Sequence, residues 1–510
     1  MKFRSLVTGS ALALGAFTAM PVLAEDTIIN IATGFQIRSM DPVEQGFWMQ
    51  EFGQGELLMK FQPDATITPW LAESLTRADD TTWIITIHDG VTFQNGRAMD
   101  VPAVLASIAY FREHSSGTQA VLPVEATFTQ TGPLEITVQT GVPVPELPNI
   151  LAHESRLMII DVETVLATEE NYDQLIGAGI HTGPYRLVEL NDQRMVAERF
   201  DGYWQGQPAM EGVELRFVSD VNARILAVQN GEIDIALYPP ISAAPVFAAT
   251  PNLNLVLGAP STGGFMGMMN VTDGPFEDVA VRKAVMEAIN YEEIANAIFH
   301  DAKIPATGLY NPRFDWAVEN YTFDVDGANA RLDAAGWVRD GDTRSRDGET
   351  LDLTLMIYPQ QPDLVPLSNA VQAYLSQIGI LSSIVSVDSV RESTLNNLVE
   401  WDLAMVATGT ATVGAVSGFL NRHVACEGDR NYGGYCNEQM DVLIDRLDET
   451  VNLTDRTAIL ADIQAILVDD DPYAFALTIL VERALVSDAW SEYVPGVAWH
   501  HISWQTAPNE

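Results

Sequence analysis

The chain reads as α/β with at least two lobes. Strand-like and helix-like stretches alternate from end to end. Its length is a second pointer: setting aside a leader-like first 24 of the 510 residues leaves 486, more than one hydrophobic core usually supports. The third is a strand–turn–strand–helix unit near residues 83–108. Within it, Trp83–Ile87 is a short β-rich run, and Asp89-Gly90 and Asn95-Gly96 are tight-turn pairs with Val91 and Phe93 between them. Asp100 then stands before Pro102 and the apolar Val104, Leu105 and Ile108, which predicts a capped amphipathic helix.

Taken in chain order, the first element is an export signal. Lys2 and Arg4 form a basic start, Ser5 to Met20 an apolar run, and Val22-Leu23-Ala24 a small-residue cleavage site. The run is shorter than the ~20 residues of a spanning helix, and no later stretch is long and apolar enough to span. The mature chain is expected to begin at Glu25, in the periplasm. No cysteine follows the leader to carry a lipid anchor.

Charge excludes some partners. Removing the leader takes two of the 27 basic residues and none of the 69 acidic ones, which leaves a net charge of −44. Such a chain repels phosphate, so nucleic acid is not expected as a partner, and anionic membrane surfaces are poor targets. The acidity serves solubility, or draws in cationic ligands or metal complexes.

Further along, Val213 to Val218 alternates as a strand, Val221 to Gln229 has helical periodicity, and Ile233 to Leu237 reads as a strand. Amphipathic helices are predicted at Val281–Ile289, Ala328–Ala335, Leu367–Ile378, Met440–Leu447 and Arg456–Leu467. The two cysteines, Cys426 and Cys436, flank Gly433-Gly434. In an oxidising compartment that spacing predicts a loop disulfide, with two unpaired thiols as the alternative.

Enzyme motifs are largely absent: the chain has no HExxH, no P-loop and no zinc-spaced cysteine set. Residues 259–263 (APSTG) are faintly similar to a nucleophile elbow whose first glycine is replaced, with Ser261 as the candidate nucleophile.

Wording along the whole chain resembles solute-binding protein family 5, the extracytoplasmic binding subunits of ABC importers for oligopeptides, dipeptides and nickel chelates. Residues 69–110 carry it first. HTGPYRL (His181–Leu187), RFDGYWQGQP (Arg199–Pro208) and NGEIDIA (Asn230–Ala236) follow. PFEDVAVRKAVMEAIN (Pro275–Asn290), LDAAGW (Leu332–Trp337), LSQIGI (Leu375–Ile380) and NYGGYCNEQMDVLIDRL (Asn431–Leu447) complete the order. Gly336 and Gly379 stand where helix ends need a left-handed residue.

The resemblance implies a two-lobed periplasmic-binding-protein fold of the type II, cluster C-like kind, with a ligand cleft between the lobes. The expected division is signal peptide 1–24, lobe I 25–260, lobe II 261–482, and a C-terminal return to lobe I over 483–510. Lobes of this kind close about a hinge. The resemblance also implies a monomer, a permease with ATPase subunits as partners, and no cofactor or catalysis.

Candidate ligand contacts follow. Phe47, Trp48 and Met49 offer an adaptable apolar wall, or ordinary core. His153 and Arg156 lie where relatives hold a chelator carboxylate, and Arg422, Arg430 and Tyr432 lie where related chelate binders carry Arg-Asn-Tyr. His500 and His501, flanked by Trp499, point to opposite strand faces, so one of them is a candidate metal contact through a chelator. Residues 407–418 depart most from relatives, carrying small residues where nickel-chelate binders carry aromatics, which implies a roomier pocket.

The expected function is import-coupled capture of a short peptide or a nickel-type metal chelate by lobe closure. The alternatives are a secreted hydrolase using Ser261, and a chaperone-like binder outside transport.

Overall fold

One eleven-stranded sheet runs through both halves of the molecule. A computed structural model describes residues 28–509 apart from 154–156, 301–302 and 498–499, and leaves the side chains of residues 261 and 262 undescribed. The expected leader and its cleavage after Ala24 lie outside the described residues, as do Arg156, Trp499 and the Ser261 side chain.

The sheet begins at Leu381–Ser386 and passes through Asp352–Ile357, Leu403–Gly409, Asn254–Met269 and Ala474–Val486. It continues through Ile235–Leu237, Ile28–Thr33, Gly212–Phe217 and Arg194–Arg199 to Tyr185–Leu190, and the eleventh strand, Ile304–Pro305, pairs beside Ala474–Val486. The two longest strands, Asn254–Met269 and Ala474–Val486, pair antiparallel along their length and join the halves. Their register shifts between Leu257 and Pro260, Pro260 and Gly264, and Phe265 and Met266. Such irregularities bend strands, so the sheet turns where it passes between the halves.

Two large cores flank that turn. The first draws on Ile29 through Tyr238 and then on Ala484, Val486, Trp490, Tyr493 and Ile502. The second draws on Ile241 through Leu477. The chain thus touches the second core at Ile241, returns for Phe247 and Leu253 in a small cluster behind the first, and crosses again along Asn254–Met269.

Local chemistry explains the elements. Thr82–Ile87 alternates, with Trp83, Ile85 and Ile87 buried, and lies inside a four-stranded sheet. Gly90 and Gly96 take φ of 76° and 84°, as the two turns require. The Asp100 carboxylate accepts from the Ala103 amide at 3.0 Å and opens the helix Val101–His114.

The helices begin earlier than apolar periodicity predicts. Ala328 becomes Val325, capped by Asp324; Met440 becomes Glu438, capped by Asn437; and Arg456 becomes Leu453, capped by Asn452. Periodicity marks the buried face, whereas a first turn is set by its polar cap. The strand expected from Ile233 starts at Ile235, because Asp234 uses its carboxylate to accept the Asn30 amide at 2.8 Å.

Cys426 and Cys436 are joined as a disulfide with their Cα atoms 4.4 Å apart.

Candidate functional site

Three adjoining cavities lie between the two cores, and all are lined by Ala407 and Thr408 at the end of strand Leu403–Gly409. The largest, about 420 Å³, takes Phe35, Phe47 and Trp48 from the first half and Tyr358, Trp401 and Tyr432 from the second. A second, about 220 Å³, lies between Glu146, Asn149 and His153 on one side and Phe419, Arg422 and Arg430 on the other. The third, about 230 Å³, is lined by Phe61, Tyr238, Val497, His501, Glu482 and Arg483. Small residues at 407–409 leave the room that joins them.

The aromatic wall is self-supporting. The Phe35 ring lies 5.6 Å from Trp48 and edge-on to Tyr238 at 5.2 Å, and Phe47 packs on Trp48 at 4.6 Å. Of the short helix Phe47–Glu51, Phe47 and Trp48 face the cavity, while Met49 is buried in the first core and is not part of the lining.

Arg430 stands on the disulfide-closed loop and lines both the 420 Å³ and the 220 Å³ cavities. No carboxylate among the described residues comes within ion-pair distance of its guanidinium. Burial first, and the charge of Arg422 second, lower its pKa from the ordinary guanidinium value. Arg422 is differently placed: it grips Asp429 through two 2.7 Å hydrogen bonds. Burial raises the Asp429 carboxyl, but Arg422 and Ser116 outweigh it and hold it down at about 2. Tyr432 lines the largest cavity, and His423 stacks on Phe419 at 5.2 Å.

The two candidate histidines part company. His500 is not among the residues lining the three cavities; its Nε2 lies 2.9 Å from Lys60 Nζ, and its ring meets Trp70 edge-on at 5.0 Å. An ammonium only donates, so Nε2 accepts and the ring is neutral. Burial, then the Lys60 charge, holds His500 well below the usual imidazole value. His501 does border the 230 Å³ cavity, and its Nε2 lies 3.6 Å from Glu51 Oε1, which also accepts from the Tyr238 hydroxyl at 3.1 Å. Burial pushes His501 down to about 4. Among the described residues, no group of three His, Cys, Asp or Glu side chains is placed to hold a metal ion.

Sequence reasoning passed over Phe35, Glu146, Tyr358, Trp401 and Glu482. Only Glu482 had a local signal, since Glu482-Arg483 interrupts an otherwise apolar strand. The others come together through topology.

The halves also touch across the mouth. Arg456 Nη2 donates to Glu146 Oε1 at 2.6 Å, Asn149 Nδ2 to the Val413 carbonyl at 2.7 Å, and Ser116 Oγ to Asp429 at 2.9 Å. This is a closed arrangement. A continuous sheet bent between two cores, with a walled cleft at the bend, defines a two-lobed ligand-binding protein.

The model for bacterial extracellular solute-binding proteins, family 5, matches residues 66–431, and the chain belongs to that family. It is a solute-binding protein of the kind that serves ABC importers. The nickel-binding protein NikA of Staphylococcus aureus is 26% identical over 457 residues, 88% of each chain. The glutathione-binding protein GsiB of Salmonella paratyphi A is 30% identical over 390 residues, 73% of this chain and 72% of that one. The crystal structure of Staphylococcus aureus NikA with Ni(L-His)2 matches with a TM-score of 0.82 at 23% identity, covering 94% of this chain and 99% of that one, a likeness that shows the fold. Among the described residues, no helix is long and apolar enough to cross a membrane.

Proposed function

We propose that this protein captures a small carboxylate-bearing ligand, a short peptide or a metal chelate, and delivers it to a membrane permease with ATPase subunits. Closure of the lobes is the whole mechanism, and no bond is made or broken. The observation that carries the reading is Arg430, a guanidinium with no carboxylate partner among the described residues, which lines two joined cavities. A planar donor fork of this kind suits a carboxylate of either ligand class. Phe35, Phe47, Trp48, Trp401 and Tyr432 supply sequence-tolerant apolar walls.

A metal ion would arrive within its chelator, with His501 at the inner end of the cleft. The relatives support both ligand classes, one being named for nickel and another for glutathione. The working assignment keeps lobe I at 25–260 with the 483–510 return, lobe II at 261–482, and a monomer free in the periplasm after cleavage at Ala24.

Native mass spectrometry of the protein from its own periplasm, followed by metal analysis, tests the reading. The expected result is one small carboxylate-bearing adduct, with or without a metal, that is lost in Arg430→Ala. A protein that carries no adduct, and takes up neither glutathione nor Ni(II)–L-histidine on titration, would overturn it.

A further inference from the structure

We propose that Glu482 is a second subsite of the cleft, which receives a cationic group of the ligand, an ammonium or a guanidinium. The inference rests on the solute-binding reading and goes beyond it, because it assigns the ligand a positive end.

Glu482 is half-buried on strand Ala474–Val486 and lines the 230 Å³ cavity. Among the described residues its carboxylate has no hydrogen-bond donor and no ion-pair partner. The cations and rings around it do not fill that role. Arg483, next in sequence, is committed elsewhere: its Nη2 meets Gln361 Oε1 at 3.0 Å and Asp363 Oδ2 at 3.6 Å, and its Nε donates to the Pro239 carbonyl at 3.2 Å. Lys303 Nζ is 3.5 Å from the same Asp363 oxygen, and burial lowers it well below the usual lysine value. His501 across the cavity is neutral near pH 7, because burial pushes it down to about 4. Tyr238 and Tyr493 feel the Glu482 charge, and burial first, with Glu51 and Glu482 after it, raises both phenols.

Phe61, Leu480 and Val497 give the cavity apolar walls, beside the polar Gln361, Thr408 and Thr412. The charge of Arg483 eases the burial of this carboxylate without pairing with it, and a guest that brings a directly paired counter-charge relieves the remaining cost. Packing keeps the group in place. A Cβ at Gly258 would meet the Pro495 carbonyl and come within 3.0 Å of Glu482 Cβ, so the bare glycine lets the strands close on this side chain.

The inner cavity also communicates with the outer ones. Tyr358 lines both the 230 Å³ and the 420 Å³ cavities, and its hydroxyl accepts the Ala407 amide at 3.1 Å, which leaves its own proton to donate. The cleft is therefore bipolar, with a guanidinium at Arg430 and a carboxylate at Glu482 that form no ion pair among the described residues. A zwitterion fits both ends.

The test uses the full secreted protein and native mass spectrometry. The probes are a pool of synthetic tripeptides lacking Lys, Arg and His, with free or with acetylated amino termini, and Ni(II)–L-histidine. The subsite predicts capture of the free-amine pool, loss of about tenfold or more on acetylation, and a similar loss in Glu482→Gln, partly restored by Glu482→Asp. Thermal melts confirm that the variants are folded. Equal capture of both pools, or wild-type capture by Glu482→Gln, overturns the subsite and leaves the solute-binding reading standing. If only the nickel complex is captured, whose histidine amine is bound to the metal and offers no ammonium, the subsite is overturned and the solute-binding reading stands. Failure of the wild type to capture any probe overturns both.

Discussion

Glu146 of the first lobe and Arg456 of the second form an ion pair across the mouth of the cleft, with Nη2 and Oε1 2.6 Å apart and both side chains about nine-tenths buried. The same carboxylate accepts the amides of Val416 and Ser417 at 3.4 and 3.3 Å. It therefore ties the segment after strand Leu403–Gly409, and a second-lobe helix, to the first lobe.

Glu146→Ala should weaken closure more than folding. Each lobe keeps its own core, while the closed state loses a largely desolvated pair. A loss of about 2 kcal/mol is expected, which corresponds to a roughly thirtyfold faster ligand release. Stopped-flow displacement gives the rate, and small-angle scattering should show a larger radius for the variant. Wild-type release from Glu146→Ala would show that the pair does not hold the cleft shut.

Arg430→Lys tests the carboxylate end. A lysine keeps the charge but loses the planar fork, so affinity for the native ligand should fall by about tenfold, and by more in Arg430→Ala. Calorimetry reads this directly. The neighbouring pair of Arg422 and Asp429 should be unaffected, because its two hydrogen bonds do not involve Arg430.

Reducing the Cys426–Cys436 disulfide should loosen the loop that presents Arg430 and Tyr432. A stability loss of about 2–3 kcal/mol is expected for a loop of this size. Cys426→Ser/Cys436→Ser should lower both the melting temperature and the affinity, and reductant should lower wild type but not the double variant. Calorimetry with and without reductant separates the two.

Glu482 makes a prediction about pH. Burial, eased by Arg483, pushes its carboxyl up to about 7. The folded, ligand-free protein then holds a proton that the unfolded chain has released, so this group's contribution to stability is present at acid pH and declines as pH rises towards about 7. Affinity for an amine-bearing ligand should move the other way and strengthen over the same range. His501, held at about 4, stays neutral throughout. Glu482→Gln should flatten both profiles, as chemical denaturation and calorimetry across the range can show.

How far such a site is legible in a sequence depends on whether its cause is local. The alternation of Trp83, Ile85 and Ile87, the Asp100 cap, and the glycines at 336 and 379 with φ of 84° and 78° are local, and each was readable. Helix starts at Val325 and Leu453 were missed because their first turns are polar and answer to Asp324 and Asn452. The site divides in the same way. Arg430 and Tyr432 were reachable from motif wording. Phe35 and Trp401 were not, since 366 residues of chain separate two side chains that line one cavity. The pair His500 and His501 shows the limit of a composition argument. Two adjacent imidazoles are conspicuous, but they lie outside any strand, contrary to the strand expected there, and only His501 reaches the cleft, while His500 turns to Lys60 and Trp70.

The first core takes Ala484, Val486, Trp490, Tyr493 and Ile502 from the far end of the chain, and strand Ile235–Leu237 borders Ala484–Val486. During synthesis, the earlier half therefore waits for the last stretch to arrive before its sheet is complete. The end of the chain thus acts as a keystone for the half that is made first, and a truncation there would open a sheet more than two hundred residues upstream.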